Sequence, residues 1–380
     1  MRLLVFGGWF GSRNLGDDAI LIGLKNVFRG VLPGSEIVAL STDPEYTRGV
    51  CGVEALPLKS PRELLAGGRH YADAFIGADA CVVSGGTPIY DYDHASRSLH
   101  FLLPRLTGRK LVCFGIGVKR LLSRSGRHLV RGLLRGAGRI SVRDIPSLHE
   151  LGRLGLKRRA SVTGDSALFI EPSKPKTAKE KLASCGVDPG GRLATICPRA
   201  LSTSHRAHYH STVSAGQING IRREIALVAD RLSEEGFDVI FLPLHKAPTD
   251  DDRVEISAIR GMMKEPSGAL DVDLLPWEAA AVLGLSEVVI GLRLHSLVFA
   301  AMQGVPIASV DYDPKIRGFM EMAGAEEFLN PVGSSPHKLA RFVSAALDGG
   351  FPLGRGLLRS CGRMRGRIEA EAREVAVLLR

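Results

Sequence analysis

Short apolar runs alternate with helix-patterned stretches along almost the whole chain. Arg2 to Phe6 reads as a strand, followed by a glycine-rich loop from Gly7 to Gly16. Asp17 then opens a helix through about Phe28, with Ile20, Leu21, Leu24 and Val27 at buried-face spacing. Ile37 to Leu40, Ala80 to Ser84, Lys110 to Ile116, Arg139 to Val142 and Ala160 to Thr163 read as further strands. Ala95 to Leu106, Arg124 to Arg135 and Asp144 to Leu154 read as helices between them. Such alternation predicts an α/β fold with parallel, doubly wound sheets.

Between Glu171 and Arg192 the texture changes. Pro172, Pro175 and Pro189 lie among lysines, with one short helical stretch near Ala178 to Ser184. This reads as a linker. The pattern then restarts with a strand at Leu193 to Cys197 and a long polar loop. Helices at Arg222 to Glu235, Asp251 to Met263 and Pro276 to Leu283 follow, with strands at Asp238 to Leu242, Glu287 to Ile290 and Val305 to Val310. The expected organisation is an N-terminal α/β domain over 1–172, a linker over 173–192, a C-terminal α/β domain over 193–355 and a charged helix within 356–380. The active cleft is expected between the two domains.

The 380 residues are enough for two core-bearing domains. No apolar run approaches the roughly 20 residues a membrane span needs. Arg2 followed by Leu3 to Phe6 imitates a short signal peptide, but Gly7-Gly8 and the polar Ser12-Arg13-Asn14 fit a first strand and its loop better. None of the six cysteines forms Cys-x-x-Cys, and Cys81 and Cys113 lie in strand-like runs. They read as reduced core thiols of a cytoplasmic protein. The net charge of +10 is uneven: from Lys119 to Arg159, twelve Lys/Arg face only Asp144 and Glu150. Arg124, Arg127, Arg131 and Arg135 follow helical spacing, with Leu129, Val130, Leu133 and Leu134 beside them. This basic amphipathic helix reads as a solvated face, or as a contact with an anionic membrane or a pyrophosphate-linked substrate. Aromatic residues are 6% of the chain without basic-aromatic interleaving, which argues against nucleic acid.

The densest candidate chemistry is Gly291-Leu292-Arg293-Leu294-His295-Ser296, between a strand and a helix. An Arg and a His two residues apart, with the positive end of a helix, suit a small, multiply charged anion. Asn14-Leu15-Gly16-Asp17 follows the first strand. Gly16 allows an unusual dihedral there, and Asp17 either caps the helix or serves as a carboxylate base. Ser84-Gly85-Gly86 ends another strand and lets backbone approach a ligand. Arg143 is a surface residue or a carboxylate or phosphate clamp. Gly164-Asp165-Ser166 reads as a structural turn. His245 lines the expected cleft, and Asp250-Asp251-Asp252 reads as a helix N-terminus facing water. His205, His208 and His210 have loose spacing and no carboxylate in their loop, which fits a polar or acceptor-binding loop better than a metal site.

The ordered set Asn-x-Gly-Asp, Ser-Gly-Gly, Arg-Asp, Gly-Asp-x-Ala and Gly-Leu-Arg-Leu-His, with Asp311-Tyr312-Asp313-Pro314-Lys315 downstream, resembles the polysaccharide pyruvyl transferase family. The likeness runs from about residue 3 to residue 330. Thr87-Pro88 is a departure, since members often carry a further Gly there. The resemblance implies two Rossmann-like domains similar to GT-B glycosyltransferases, and a transfer from phosphoenolpyruvate to two hydroxyls of a sugar that gives a pyruvate ketal. It implies donor binding by Arg293 and His295, with the Leu294 backbone and Ser296 beside the donor and Arg143 as a partner. His295 is expected as general acid or phosphate ligand and Asp17 as base; Asn14, Gly16, Ser84, Gly85, Gly86 and His245 line the acceptor side or the cleft. The acceptor is expected to be a saccharide or lipid-linked oligosaccharide of cell-envelope or exopolysaccharide synthesis, handled in the cytoplasm or at the inner face of the plasma membrane. Phosphoenolpyruvate is a co-substrate, and no cofactor or metal is expected. The alternatives are a glycosyltransferase with a nucleotide-sugar donor and a non-catalytic saccharide- or anion-binding protein.

Overall fold

The computed structural model describes residues 1–59, 63, 69–90, 94–201, 213–248, 250–334 and 336–380. His205, His208 and His210 lie outside the described residues. Contacts divide the chain into two units: Met1–Phe169 with Met364–Arg380, and a second that starts at Ile170 and ends at Arg363.

The first unit runs β1 (Arg2–Phe6), α1 (Leu15–Val31), β2 (Glu36–Ser41), α2 (Pro44–Cys51), β3 (Glu54–Pro57), α3 (Arg69–Ile76), β4 (Ala80–Val83), α4 (His94–Leu106), β5 (Lys110–Ile116), α5 (Arg124–Arg135), β6 (Arg139–Val142), α6 (Ile145–Arg153) and β7 (Ala160–Val162). Its strands pair in the order β3-β2-β1-β4-β5-β6-β7, every pair parallel. β4 is buried along its whole length, as helices on both faces require. The order reverses between β1 and β4, so the crevice beyond their carboxyl ends is where such a sheet receives a ligand.

The second unit runs α7 (Pro175–Ser184), β8 (Leu193–Cys197), α8 (Ala215–Glu234), β9 (Asp238–Phe241), β10 (Lys246–Ala247), β11 (Asp250–Asp251), α9 (Asp252–Arg260), β12 (Gly268–Ala269), α10 (Pro276–Leu283), β13 (Val288–Gly291), α11 (Leu294–Ala301), β14 (Ile307–Asp311), α12 (Pro314–Ala323) and β15 (Leu329–Pro331). The parallel sheet has the order β12-β9-β8-β13-β14-β15, with its reversal between β8 and β13; β10 and β11 form a small antiparallel ribbon.

The last helix, α13 (Pro336–Leu379), kinks at Gly350, where φ is 21°. From Met364 it belongs to the first unit: Ile368, Ala372 and Val375 are buried, Arg139 pairs with Glu371 at 2.7 Å, and Lys110 Nζ donates to the Leu378 carbonyl at 2.6 Å. The segment 173–192 is not a linker. Its helix α7 buries Ala178 and Leu182, Lys181 pairs with Glu278 of α10, and the Ser173 amide donates to the Trp277 carbonyl. Of the three prolines that suggested a linker, Pro175 starts a helix, in its first turn.

All six cysteines are free thiols, five of them buried. Burial pushes Cys81 and Cys113 up to about 12, so both stay protonated and inert. Among the described residues no helix is long and apolar enough to cross a membrane.

Candidate functional site

In the second unit, four neighbouring strands deliver polar side chains at their carboxyl ends. Arg199 follows β8, His245 follows β9, Arg293 and His295 follow β13, and Tyr312 and Asp313 follow β14. Arg199 and Arg293 thus flank the reversal between β8 and β13.

Arg293 is the N-cap of α11 and is only 8% exposed. Its Nε donates to both carboxylate oxygens of Asp252 at 2.9 and 3.0 Å, and its Nη2 to Asp252 at 2.6 Å. Nη1 and Nη2 reach Asp250 at 3.1 and 3.0 Å. A guanidinium has five N–H donors, and these contacts leave only one, on Nη1, for a ligand. The cation expected to hold an anion is therefore already neutralised by two carboxylates. The three aspartates do not face water together. Asp251 caps α9, while Asp252 is wholly buried and also accepts from the amides of Leu244 and His245. Burial raises the Asp252 carboxyl against the pull of Arg293. Burial acts on Asp250 too, but Arg293, His245 and Arg199 outweigh it and hold Asp250 well below the usual carboxylate range.

Asp250 also meets His245, Oδ2 to Nδ1 at 3.1 Å. An ionised carboxylate there accepts a hydrogen bond from Nδ1–H, which leaves Nε2 as the nitrogen that accepts or gives a proton. That Nε2 is buried and has no hydrogen-bond partner among the described residues. His245 and Asp250 thus form an oriented imidazole–carboxylate dyad at the mouth of the sheet.

Arg199 was not singled out in the sequence, where it lies at the start of a polar loop. It is 8% exposed, its Nη1 lies 3.5 Å from the Tyr312 hydroxyl and 3.9 Å from Asp313 Oδ2, and Tyr312 in turn donates to the Leu292 carbonyl. His295 is half-buried, one turn from Phe299 with ring centroids 6.1 Å apart. Leu294 opens α11 and is 4% exposed. Ser296 does not present its hydroxyl to a donor: it is wholly buried and donates to the Arg293 carbonyl at 2.6 Å, closing the turn.

The first unit has its own polar network at the carboxyl ends of β1, β4, β6 and β7. α1 starts at Leu15, with Asn14 as its N-cap accepting from the Gly16 amide. Gly16 is helical; the positive φ values lie before it, at Gly7, Gly11 and Arg13. Asp17 sits in the first turn, where one oxygen accepts from Asn14 Nδ2 at 2.9 Å and the other from the Gly86 amide at 3.0 Å. So it holds the Gly85-Gly86 loop to α1. Gly85 has φ +114°, and a Cβ there would lie 2.3 Å from the Gly8 Cα, so only glycine fits. Ser84 points inward to the Phe114 carbonyl. Arg143 is buried, not a surface residue: it donates to Asp144 and Asp165, each at 3.3 Å, and to the Thr87 hydroxyl at 3.0 Å. Thr87, the departure from the expected glycine, thereby anchors the arginine.

Both networks lie on chain that a family model for polysaccharide pyruvyl transferase matches, over residues 14–314. The fold is GT-B-like. A glycosyltransferase from Rickettsia africae is similar at 12% identity and a TM-score of 0.61, covering 100% of this chain and 98% of its own. The UDP-GlcNAc 2-epimerase from Neisseria meningitidis bound to UDP-GlcNAc is similar at 13% identity and a TM-score of 0.56, covering 100% and 99%. The E. coli ADP-heptose lipopolysaccharide heptosyltransferase II is similar at 13% and 0.54, covering 91% and 98%. Those likenesses establish architecture, whereas the family match spans Asn14 to Asp17, the Gly85-Gly86 loop and the Arg293–His295 turn. The chain belongs to the polysaccharide pyruvyl transferase family.

Proposed function

We propose that the chain moves a pyruvyl unit from phosphoenolpyruvate to two hydroxyls of a saccharide, a lipid-linked precursor being the acceptor we favour, with release of phosphate. The reading rests on the family match together with the gathering of His245, Arg293 and Arg199 about Asp250 at the carboxyl ends of neighbouring strands, with His295 two residues beyond Arg293. In the first step a sugar hydroxyl adds to C2 of phosphoenolpyruvate, losing its proton while C3 gains one. In the second step another hydroxyl, also losing its proton, displaces phosphate and closes the ketal. Two protons leave hydroxyls; one ends on the methyl carbon and one on phosphate. Such transfers need a group that can take up and return a proton within hydrogen-bond reach of the substrate. His245 Nε2, oriented by Asp250 and without a hydrogen-bond partner among the described residues, is the proposed group, with His295 as the second imidazole. Arg199 and the remaining Nη1–H of Arg293 meet the donor's anionic groups.

The test is phosphate release from phosphoenolpyruvate with a panel of saccharide acceptors, alone and lipid-linked. His245→Gln and His295→Gln variants should release phosphate far more slowly. Undiminished release by both variants overturns the site assignment. Thermal stabilisation by a nucleoside diphosphate, and none by phosphoenolpyruvate, supports a glycosyltransferase instead.

A further inference from the structure

The helix α5 carries cations that no carboxylate among the described residues pairs with. Ser123 caps it by accepting from the Gly126 amide, and it buries Gly126 and Leu134. On its outer side Arg124 and Arg135 are exposed, with Arg127 and Arg131 half-buried along the margin. Among the described residues no carboxylate pairs with any of these four, whereas Arg139, Arg143 and Arg153 nearby in sequence all have one. Arg127 instead donates to the carbonyls of Leu121 and Leu122. Two large apolar side chains are exposed on the same segment: Leu122, just before α5, at 51%, and Leu129, on α5, at 42%.

A second feature adjoins this face. A cavity of about 150 Å³ is lined by Lys119, Arg120, Arg127 and Arg153, with Glu150 as its single acid. That is well below the roughly 300 Å³ of a pocket for a drug-sized molecule, yet large enough for a phosphate group. Exposed leucines beside uncompensated arginines, next to a small cationic recess, match the surface of an anionic bilayer: acyl chains for the leucines, phosphates for the arginines, one headgroup for the recess. The stretch from Val118 to Arg135 contains no Phe, Tyr or Trp on which a base could stack, which disfavours nucleic acid.

We infer that α5 and the recess beside it form a docking surface for an anionic phospholipid membrane. The inference does not depend on the pyruvyl-transfer reading. The test is flotation of the full chain with phosphatidylcholine vesicles, with and without phosphatidylglycerol, at low and high salt. Binding is expected only to the phosphatidylglycerol vesicles and is expected to weaken with salt. Each basic residue at a membrane surface is worth about fivefold in affinity. Arg124→Glu with Arg135→Glu should therefore cost well over tenfold, and Leu129→Ser should weaken binding at low salt as well. The same change of net charge elsewhere, Lys176→Glu with Lys179→Glu on α7, should leave binding in place. Thermal midpoints equal to that of the parent show that the variants are folded. The inference is overturned if the parent ignores anionic vesicles at low salt. It is also overturned if the α7 variant loses as much as the α5 variant, or if random-sequence RNA is bound while vesicles are not.

Discussion

Replacing Arg293 by Ala should destabilise the protein whether or not a substrate is present. The substitution removes contacts of 2.6 to 3.1 Å to two carboxylates, one of them wholly buried. Asp252 keeps its two backbone amide donors but loses its counter-charge. Removing one partner of a buried pair costs about 3–5 kcal/mol, because the other charge stays behind unpaired. For a domain of this size each kcal/mol moves the midpoint by roughly 2–4 °C, so thermal unfolding followed by circular dichroism should fall by roughly 6–20 °C. Arg293→Met combined with Asp252→Leu should unfold at a higher temperature than Arg293→Ala, since the orphaned carboxylate is gone. The loss should also shrink in acid. Asp250 has its folded pKa depressed by Arg293, so it contributes stability above its ordinary 3.8 that disappears as pH falls through the depressed value. The alanine variant has no such contribution to lose. A midpoint within about 2 °C of the parent, or a double variant weaker than the single one, refutes the buried-pair reasoning. Loss of turnover in Arg293→Ala would then be a matter of donor contact alone.

Three other outcomes follow from described contacts. Asp18 is wholly buried on α1, accepts from the Tyr46 hydroxyl at 3.0 Å, and is raised to about 7 chiefly by burial. Its stabilising protonated form is lost as pH rises through that value, so Asp18→Asn should gain on the order of 4 kcal/mol over the parent at pH 8 and little at pH 4, read from urea midpoints. Gly85→Ala forces a Cβ onto the Gly8 backbone at a positive φ, and should cost at least ~1–3 kcal/mol in the same assay while displacing the Gly86 loop. Asp250→Asn should lower kcat by loosening the orientation of His245, and His245→Gln should lower kcat by ~10²–10⁴-fold; an unchanged kcat in both removes the dyad from the mechanism.

The strand-to-helix rhythm is legible because both sheets are built from short apolar strands. β1, β5, β8 and the Gly291 turn can be placed from the sequence within a residue or two. What escapes is short or distant. The helix α2 is eight residues long and the strand β3 only four, too brief for a periodic signal, though Asp43-Pro44 and Gly52 mark the helix ends. The role of Asp250 and Asp252 depends on an arginine more than forty residues away, and three consecutive acids before a helix look like solvated capping residues. Arg199 gives a single signal: it follows a buried strand by two residues, the same offset that Arg293 has from β13. Asp17 shows the opposite limit. Its type and place are legible, but its partner, the Gly86 amide, lies in a loop sixty-nine residues on and fixes it as a tie between loops.

The course of α13 bears on how the chain is made. Met364–Arg380 packs within the first unit, with Met364 against Gly164 and Glu371 against Arg139 and Ser161. That unit leaves the ribosome in two instalments, Met1–Phe169 before the second unit and its closing helix after it. At about 5–20 residues per second, the intervening synthesis takes roughly 10–40 s. Throughout that time the seats of Ile368, Ala372 and Val375 are bare on the nascent first sheet. The two units therefore mature in the reverse of their order of translation, and a chain cut short after Arg363 leaves the earlier unit unfinished although every one of its strands has been made.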